Sequence, residues 1–202
     1  AANGCNRPVG AGTPESLRIE DAAQAARLSG NLANITFDDV DFVNNTSRGI
    51  EMQNGAGPVI SNVVVRDSLF DNNGIGMRMS STTVVDGITI ENTTFQNNTG
   101  LGFYQANDNS TGRLTNLTVR DSTFTNNGDA SGEAGIYAEE YSNVLIEDST
   151  FSGNWYGINL FDYWNTAVST TTNVVIRNNT FTDHKKSSMA VRSNNSAAGA
   201  AL

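Results

Sequence analysis

The sequence predicts an all-β fold: a right-handed parallel β-helix, a solenoid of about six to seven coils with a short N-terminal capping helix. Three observations carry this reading. One phenylalanine recurs, as Phe42, Phe70, Phe95, Phe124, Phe151 and Phe181, at intervals of 25 to 30 residues. An alternating apolar stretch precedes each of them, and an Asn-rich turn follows. Self-similarity at such a period marks stacked repeats, and an uneven period suits coils that carry loops of different length.

Each repeat opens with a strand whose inward pair is apolar: Ile35/Phe37, Val63/Val65, Ile88/Ile90, Leu117/Val119, Val144/Ile146 and Val174/Ile176. Period-two alternation of mostly β-branched residues is strand chemistry. Three residues before each phenylalanine stands Asp39, Asp67, Asn92, Asp121, Asp148 or Asn178. After it comes Asn44-Asn45, Asn72-Asn73, Asn97-Asn98, Asn126-Asn127, Gly153-Asn154 or Asp183-His184. Asn tolerates left-handed turns and bonds neighbouring backbone, and stacked copies can bond one another as a ladder. A glycine and an apolar residue then start a further strand: Gly49-Ile50, Gly76-Met77, Gly102-Phe103, Gly135-Ile136 and Gly157-Ile158, with Ser188-Met189 in the sixth repeat.

An outward file fixes the register independently. Four residues before each phenylalanine stand Asp38, Arg66, Glu91, Arg120, Glu147 and Arg177, alternating in sign at every step. Strands stacked about 4.8 Å apart would set each charge between two opposite neighbours and penalise a slipped register. These carboxylates are therefore expected to be structural rather than catalytic.

The segments divide into an N-terminal arm at 1–13, a capping helix at 14–30, the solenoid at 31–192 and a tail at 193–202. For the helix, Thr13 can cap, Pro14 suits the first turn, Glu15 suits the positive end, and Ala22, Ala23, Ala25, Ala26 and Leu28 are good helix formers before Gly30. The alternative is that Leu17 and Ile19 belong to a strand of an extra coil.

Composition narrows the partners. Apolar residues make up 38% and the net charge is −9, so nucleic acid is not expected as a partner. No apolar run is long enough to span a bilayer. The small residues of the Ala1-Ala2-Asn3 start fit a processed secretory precursor or a trimmed chain, and the expectation is a secreted or cell-surface protein. Cys5 is the only cysteine, so no internal disulfide can form; it is either an inert thiol or a crosslink to a neighbouring chain.

The repeat, idealised as V-x-I-x-D-S-x-F-x-N-N-x-G-x-G-I over roughly residues 34–192, resembles the parallel β-helix repeat of the pectate-lyase-like superfamily. That resemblance implies the fold and little about activity, because the superfamily holds lyases, hydrolases, epimerases, phage tailspikes and adhesins. Its hydrolases carry a Gly-His-Gly and its alginate-type epimerases an Asp-Pro-His-Asp, and this sequence has neither. Its lyases use calcium held by acidic residues together with a basic residue. No catalytic residue of the family carries over. His184, the only histidine, sits at an Asn station and reads as a ladder variant or surface residue before a general base.

The best candidate site lies on the fourth and fifth repeats. Aligning Gly135 with Gly157 brings Glu140 level with Asp162 and Tyr141 level with Tyr163. Close carboxylates can bind calcium or raise one pKa for acid catalysis, which makes Glu140, Asp162 and Tyr163 the catalytic candidates. Trp155, Tyr156 and Trp164 lie nearby, and Tyr104 and Tyr137 share one outward file. Together with Tyr141 and Tyr163 they can bind carbohydrate, form a subunit contact or pack a loop. No cofactor is expected, and calcium is the one ion worth considering. The segment from Gly128 to Ala134, with Asp129 and Glu133, lacks ordered calcium-ligand spacing.

The leading functional expectation is an extracellular structural or surface β-helix that associates with copies of itself, end to end or through its terminal tails, into a filament or surface layer. The alternative is a polysaccharide-binding or polysaccharide-cleaving module.

Overall fold

The computed structural model describes residues 16–54, 59–105, 113–128, 130–162 and 173–193, with the side chains of Asp162 and Ser193 left aside. Strands β1 (Leu17–Glu20) and β2 (Gln24–Leu28) open the solenoid, and six three-stranded coils follow. They are β3 (Leu32–Asp38), β4 (Val40–Val43) and β5 (Arg48–Met52); β6 (Val59–Arg66), β7 (Leu69–Asp71) and β8 (Ile75–Met79); β9 (Val84–Glu91), β10 (Thr94–Gln96) and β11 (Phe103–Gln105). Next come β12 (Arg113–Arg120), β13 (Thr123–Thr125) and β14 (Ala134–Glu139); β15 (Tyr141–Glu147), β16 (Thr150–Ser152) and β17 (Tyr156–Asp162); β18 (Val174–Arg177), β19 (Thr180–Thr182) and β20 (Ser187–Ser193). Every pairing is parallel and joins one coil to the next. Sheet A runs from β1 to β19 in seven strands, sheet B from β2 to β20 in seven, and sheet C from β3 to β18 in six.

The corners explain the sequence. Three stations per coil hold a positive φ, between 46° and 59° at the non-glycine positions of these files. One file is Asn34, Asn62, Gly87, Asn116, Asn143 and Asn173; a second is Asp39, Asp67, Asn92, Asp121, Asp148 and Asn178; a third is Asp21, Asn44, Asn72, Asn97, Asn126, Gly153 and Asp183. Among the residues found there, only Asn, Asp and Gly enter this region at low cost, so all three files are restricted to them.

The six phenylalanines form one interior stack, with centroids 4.4–5.1 Å apart and rings within 15° of parallel. Gly49, Gly76, Gly102, Gly135 and Gly157 run beside it. A Cβ at Gly49 would lie 2.7 Å from the Phe70 ring, and one at Gly102 would lie 2.6 Å from the Gly135 carbonyl oxygen. Glycine stands at these positions because the ring and the adjoining coil leave no space for a side chain.

The paired asparagines divide the work. The first of each pair makes the exposed left-handed turn; the second points inward and is buried. Asn45, Asn73, Asn98 and Asn127 each donate Nδ2 to the Oδ1 of the next, through Asn154, over 2.7–3.1 Å. The same amides from Asn73 to Asn154 donate to the carbonyls of Phe42, Phe70, Phe95 and Phe124. A hydroxyl file runs alongside: Ser68, Ser122 and Ser149 each accept from a backbone N–H of the preceding coil, 3.1–3.2 Å away.

The expected capping helix is corrected. Residues 17–28 hold two strands, so among the described residues the solenoid already includes β1 and β2 ahead of residue 31. Leu17 and Ile19 pair in register with Val40 and Phe42, and Ala26 and Leu28 with Ile50 and Met52. Asp21 occupies the left-handed station, which interrupts any helix, and Ala22 N–H donates to Asn45 Oδ1 at 3.1 Å. The helix preference of alanine is under about 1 kcal/mol per residue, and pairing along an open sheet edge outweighs it. Thr13, Pro14, Glu15, Cys5 and the arm and tail lie outside the described residues, apart from Ser193.

The charge file is in register, with contacts falling inside pairs. Arg66 meets Asp38 at 2.6 Å, Arg120 meets Glu91 at 2.9 Å and Arg177 meets Glu147 at 2.6 Å. Arg66 lies opposite Glu91, and Arg120 opposite Glu147, as backbone neighbours.

Candidate functional site

Sheet B gives the solenoid its most chemically varied outer face. One outward file reads Arg27, Glu51, Arg78, Tyr104, Tyr137, Asn159 and Ala190. Glu51 is only 1% exposed and sits between Arg48, at 2.5 Å, and Arg78, at 3.1 Å. Burial pushes its carboxyl pKa up, and the two guanidiniums act against that rise. The Arg78 guanidinium lies 5.8 Å over the Tyr104 ring, which meets Tyr137 edge-on at 5.5 Å. Tyr137 donates its hydroxyl to Glu139 Oε1 at 2.6 Å. Burial first, and then that carboxylate, hold the phenol above its ordinary value.

The face continues onto the last two coils. Arg192 donates to Asn159 Oδ1 at 2.9 Å and covers Phe161 at 4.7 Å and Tyr156 at 5.8 Å. Asn159 is fully buried, and its Nδ2 makes no hydrogen bond among the described residues. Trp155 is half-buried in the turn before β17, where its carbonyl accepts from Lys186 N–H at 2.9 Å. Aromatic faces, guanidiniums and buried carboxylates on one surface suit a hydroxyl-rich ligand or a second protein surface. Among the described residues, no three His, Cys, Asp or Glu side chains gather to hold a metal ion.

The expected patch is brought together in part. Tyr104 and Tyr137 share their file, and Tyr156 lies on the same sheet. Glu139 pairs with Phe161, the last matched level between β14 and β17, so the paired register stops one residue short of Glu140 and Asp162. Glu140 forms a left-handed corner between β14 and β15, with φ of 46°. Tyr141 is a correction: it is 2% exposed and belongs to the core, paired with Leu114 of the preceding coil. The chain turns from sheet B into sheet C at Glu140 without an intervening loop, so the next residue points inward. Tyr163 and Trp164 lie outside the described residues.

Sequence reading missed Glu51, Arg78, Asn159, Phe161 and Arg192. Extending the Tyr104/Tyr137 file by one glycine-apolar unit in each direction would have found Arg78 and Asn159, and a second step toward the N-terminus would have found Glu51.

The ends form a second candidate surface. Ile158 and Leu160 are fully buried, yet their partners one coil on, Met189 and Val191, are 48% and 54% exposed. At the other end Leu17 is 43% exposed. Within the described residues no helix is long and apolar enough to cross a membrane.

No curated protein and no solved structure gives a significant match to the chain. The family model of the right-handed β-helix region matches residues 81–200, more than half of the chain. With its parallel coils, phenylalanine stack and asparagine ladder on the page, the chain belongs to the right-handed β-helix family.

Proposed function

We propose that this protein is an extracellular structural β-helix that stacks end to end with copies of itself. The observation that supports this most is the sixth coil: Met189 and Val191 occupy interior files and stand about half open to solvent. The backbone edges of β18, β19 and β20 end there without a further strand among those described. A second copy presents β1 and β2 in the matching sheets. Stacked in the same register, Phe181 meets Ile19, Met189 meets Ala26 and Val191 meets Leu28. Covering the exposed halves of Met189 and Val191 contributes about 1 kcal/mol each, and the newly paired backbone adds to it. A rod whose interior is held by amide ladders needs no disulfide, which suits a secreted or surface-displayed scaffold.

The charge file does not carry across such a joint. Sheets A and B hold seven strands and sheet C six, so sheet C is one strand short where copies meet. Arg177 and Asp38 would then stand roughly 10 Å apart, two strand spacings, rather than in contact. Apolar end packing drives the joint in this reading. Head-to-tail contacts of this kind do not close on themselves and give filaments.

Sedimentation and electron microscopy of the full chain test the proposal. Concentration-dependent rods are expected, and Met189→Lys with Val191→Lys should give monomers that keep the β spectrum. A wild-type chain that stays monomeric across a wide concentration range overturns it.

A polysaccharide-binding role has its own support in the Arg78–Tyr104–Tyr137 file and the Tyr156–Phe161–Arg192 cluster. Oligosaccharide binding lost on Tyr104→Ala and Arg192→Ala would favour that role; a polysaccharide panel without binding would remove it.

A further inference from the structure

The asparagine ladder ends on a histidine. His184 stands in the sixth coil at the station that Asn45, Asn73, Asn98, Asn127 and Asn154 hold in the first five. Its Nδ1 lies 3.4 Å from the Asn154 carbonyl oxygen. Its Nε2 is buried and has no hydrogen-bond partner among the described residues. A Cβ added at Gly157 would sit 2.8 Å from that nitrogen, so the ring presses closely against the coil below. An Asn at this station would donate its amide to a carbonyl. Neutral imidazole with its proton on Nδ1 makes one such bond and leaves Nε2 facing backbone and carbon.

The turn that carries His184 is bound to the coil below by two amides. Lys185 N–H donates to the Asn154 carbonyl at 3.0 Å, and Lys186 N–H to that of Trp155 at 2.9 Å. This turn leads directly into β20, which bears Met189 and Val191. We propose that His184 is a proton-operated latch: protonation at Nε2 expels the ring from the ladder, lifts the 183–186 turn and opens the sixth coil, so that acid disassembles the end-to-end joint. The regulatory part rests on the end-to-end reading; the opening of the coil does not.

The charges around the ring do not rescue the imidazolium. Among the described residues, Asp183 is the one carboxylate that acts on it, from the adjoining exposed position. Lys185 and Lys186 follow in the chain and oppose a further positive charge. The packed elements β16, β17 and β19 present Phe151, Gly157 and Phe181 to the ring, none of them titratable. Burial, the largest influence, lowers the folded-state pKa below the ordinary 6.5, with the two backbone carbonyls and Asp183 acting the other way. The fold therefore favours the neutral form. The stabilisation is complete above the unfolded value near 6.5 and is lost as pH falls from there toward the folded pKa. Within that window the closed-to-open ratio drops about tenfold per pH unit.

Hydrogen exchange and sedimentation of the full chain at about pH 7.5 and pH 5.5 test this, with exchange corrected for its intrinsic pH dependence. In the wild type, amides of β20 should lose protection at the lower pH while those of β8 and β11 keep theirs, and the rods should shorten or dissolve. His184→Asn, which completes the ladder, should hold both protection and rods at both pH values, and His184→Gln serves if that variant does not fold. Unchanged protection of β20 in the wild type overturns the latch, as does a variant that opens in parallel with the wild type. A chain that is monomeric at both pH values yet opens the sixth coil through His184 sinks the end-to-end reading and leaves the latch standing.

Discussion

Asn97 and Asn98 stand side by side in the third coil and should lose very different amounts of stability on removal of their side chains. Asn98 is 1% exposed. Its Nδ2 donates to the Phe70 carbonyl at 3.1 Å and to Asn127 Oδ1 at 2.7 Å; its Oδ1 accepts from the backbone and side-chain N–H of Asn73, both at 3.0 Å. Asn98→Ala leaves Asn127 Oδ1 and the Asn73 backbone N–H buried without these partners. At about 1–3 kcal/mol for each stranded group, the expected loss is roughly 2–6 kcal/mol. Asn97 is exposed, holds φ at 53°, and its side chain makes one bond among the described residues, to Asp71 Oδ1 at 3.0 Å. Asn97→Gly keeps that backbone conformation accessible and should cost under about 1 kcal/mol. Urea unfolding followed by both fluorescence and circular dichroism measures the difference, with coincident transitions confirming that the coils unfold together. Equal losses in the two variants, or a loss below 1 kcal/mol for Asn98→Ala, would refute the assignment of the interior ladder as a principal source of stability.

Three further outcomes are expected. Phe95→Ala removes a ring stacked at 4.4 Å on one side and 4.8 Å on the other, and should lower stability by about 3–5 kcal/mol in the same unfolding assay. Gly102→Ala puts a methyl 2.6 Å from the Gly135 carbonyl oxygen and 3.0 Å from the Phe124 ring, and should cost about 1–3 kcal/mol by thermal melting. Glu91→Gln removes the partner of Arg120 from a largely exposed pair and should change stability by less than about 1 kcal/mol, with the difference shrinking at high salt.

The solenoid was legible because its signals repeat. Six phenylalanines, six inward pairs and a sign-alternating file all report one register, so an error in any single repeat is outvoted. The N-terminal strands were harder: Ala22 to Ala26 carry helix propensity and no β-branching, and what makes them a strand is the edge of β5 lying ready to pair. The two asparagines of each turn looked equivalent, since composition does not distinguish an amide that turns the chain from one that bonds inside it. The outer face of sheet B was only partly visible, because Glu51, Arg78 and Tyr137 are different residue types in one file, and a file of unlike residues is found only after the register is known. Tyr141 was misplaced for a related reason: a single corner residue, Glu140, decides which face the next side chain takes.

The left-handed corners also govern how the molecule ages. Outer stations such as Asn72, Asn92 and Asn97 are exposed amides, the groups most open to slow hydrolysis in water. An amide lost there becomes an aspartate, which already stands at equivalent corners: Asp39, Asp67, Asp121 and Asp148 in the file of Asn92, and Asp21 and Asp183 in that of Asn72 and Asn97. The interior amides, where the same change would bury an anion, are shielded from solvent. Long exposure would therefore make the rod more acidic before it made it less regular.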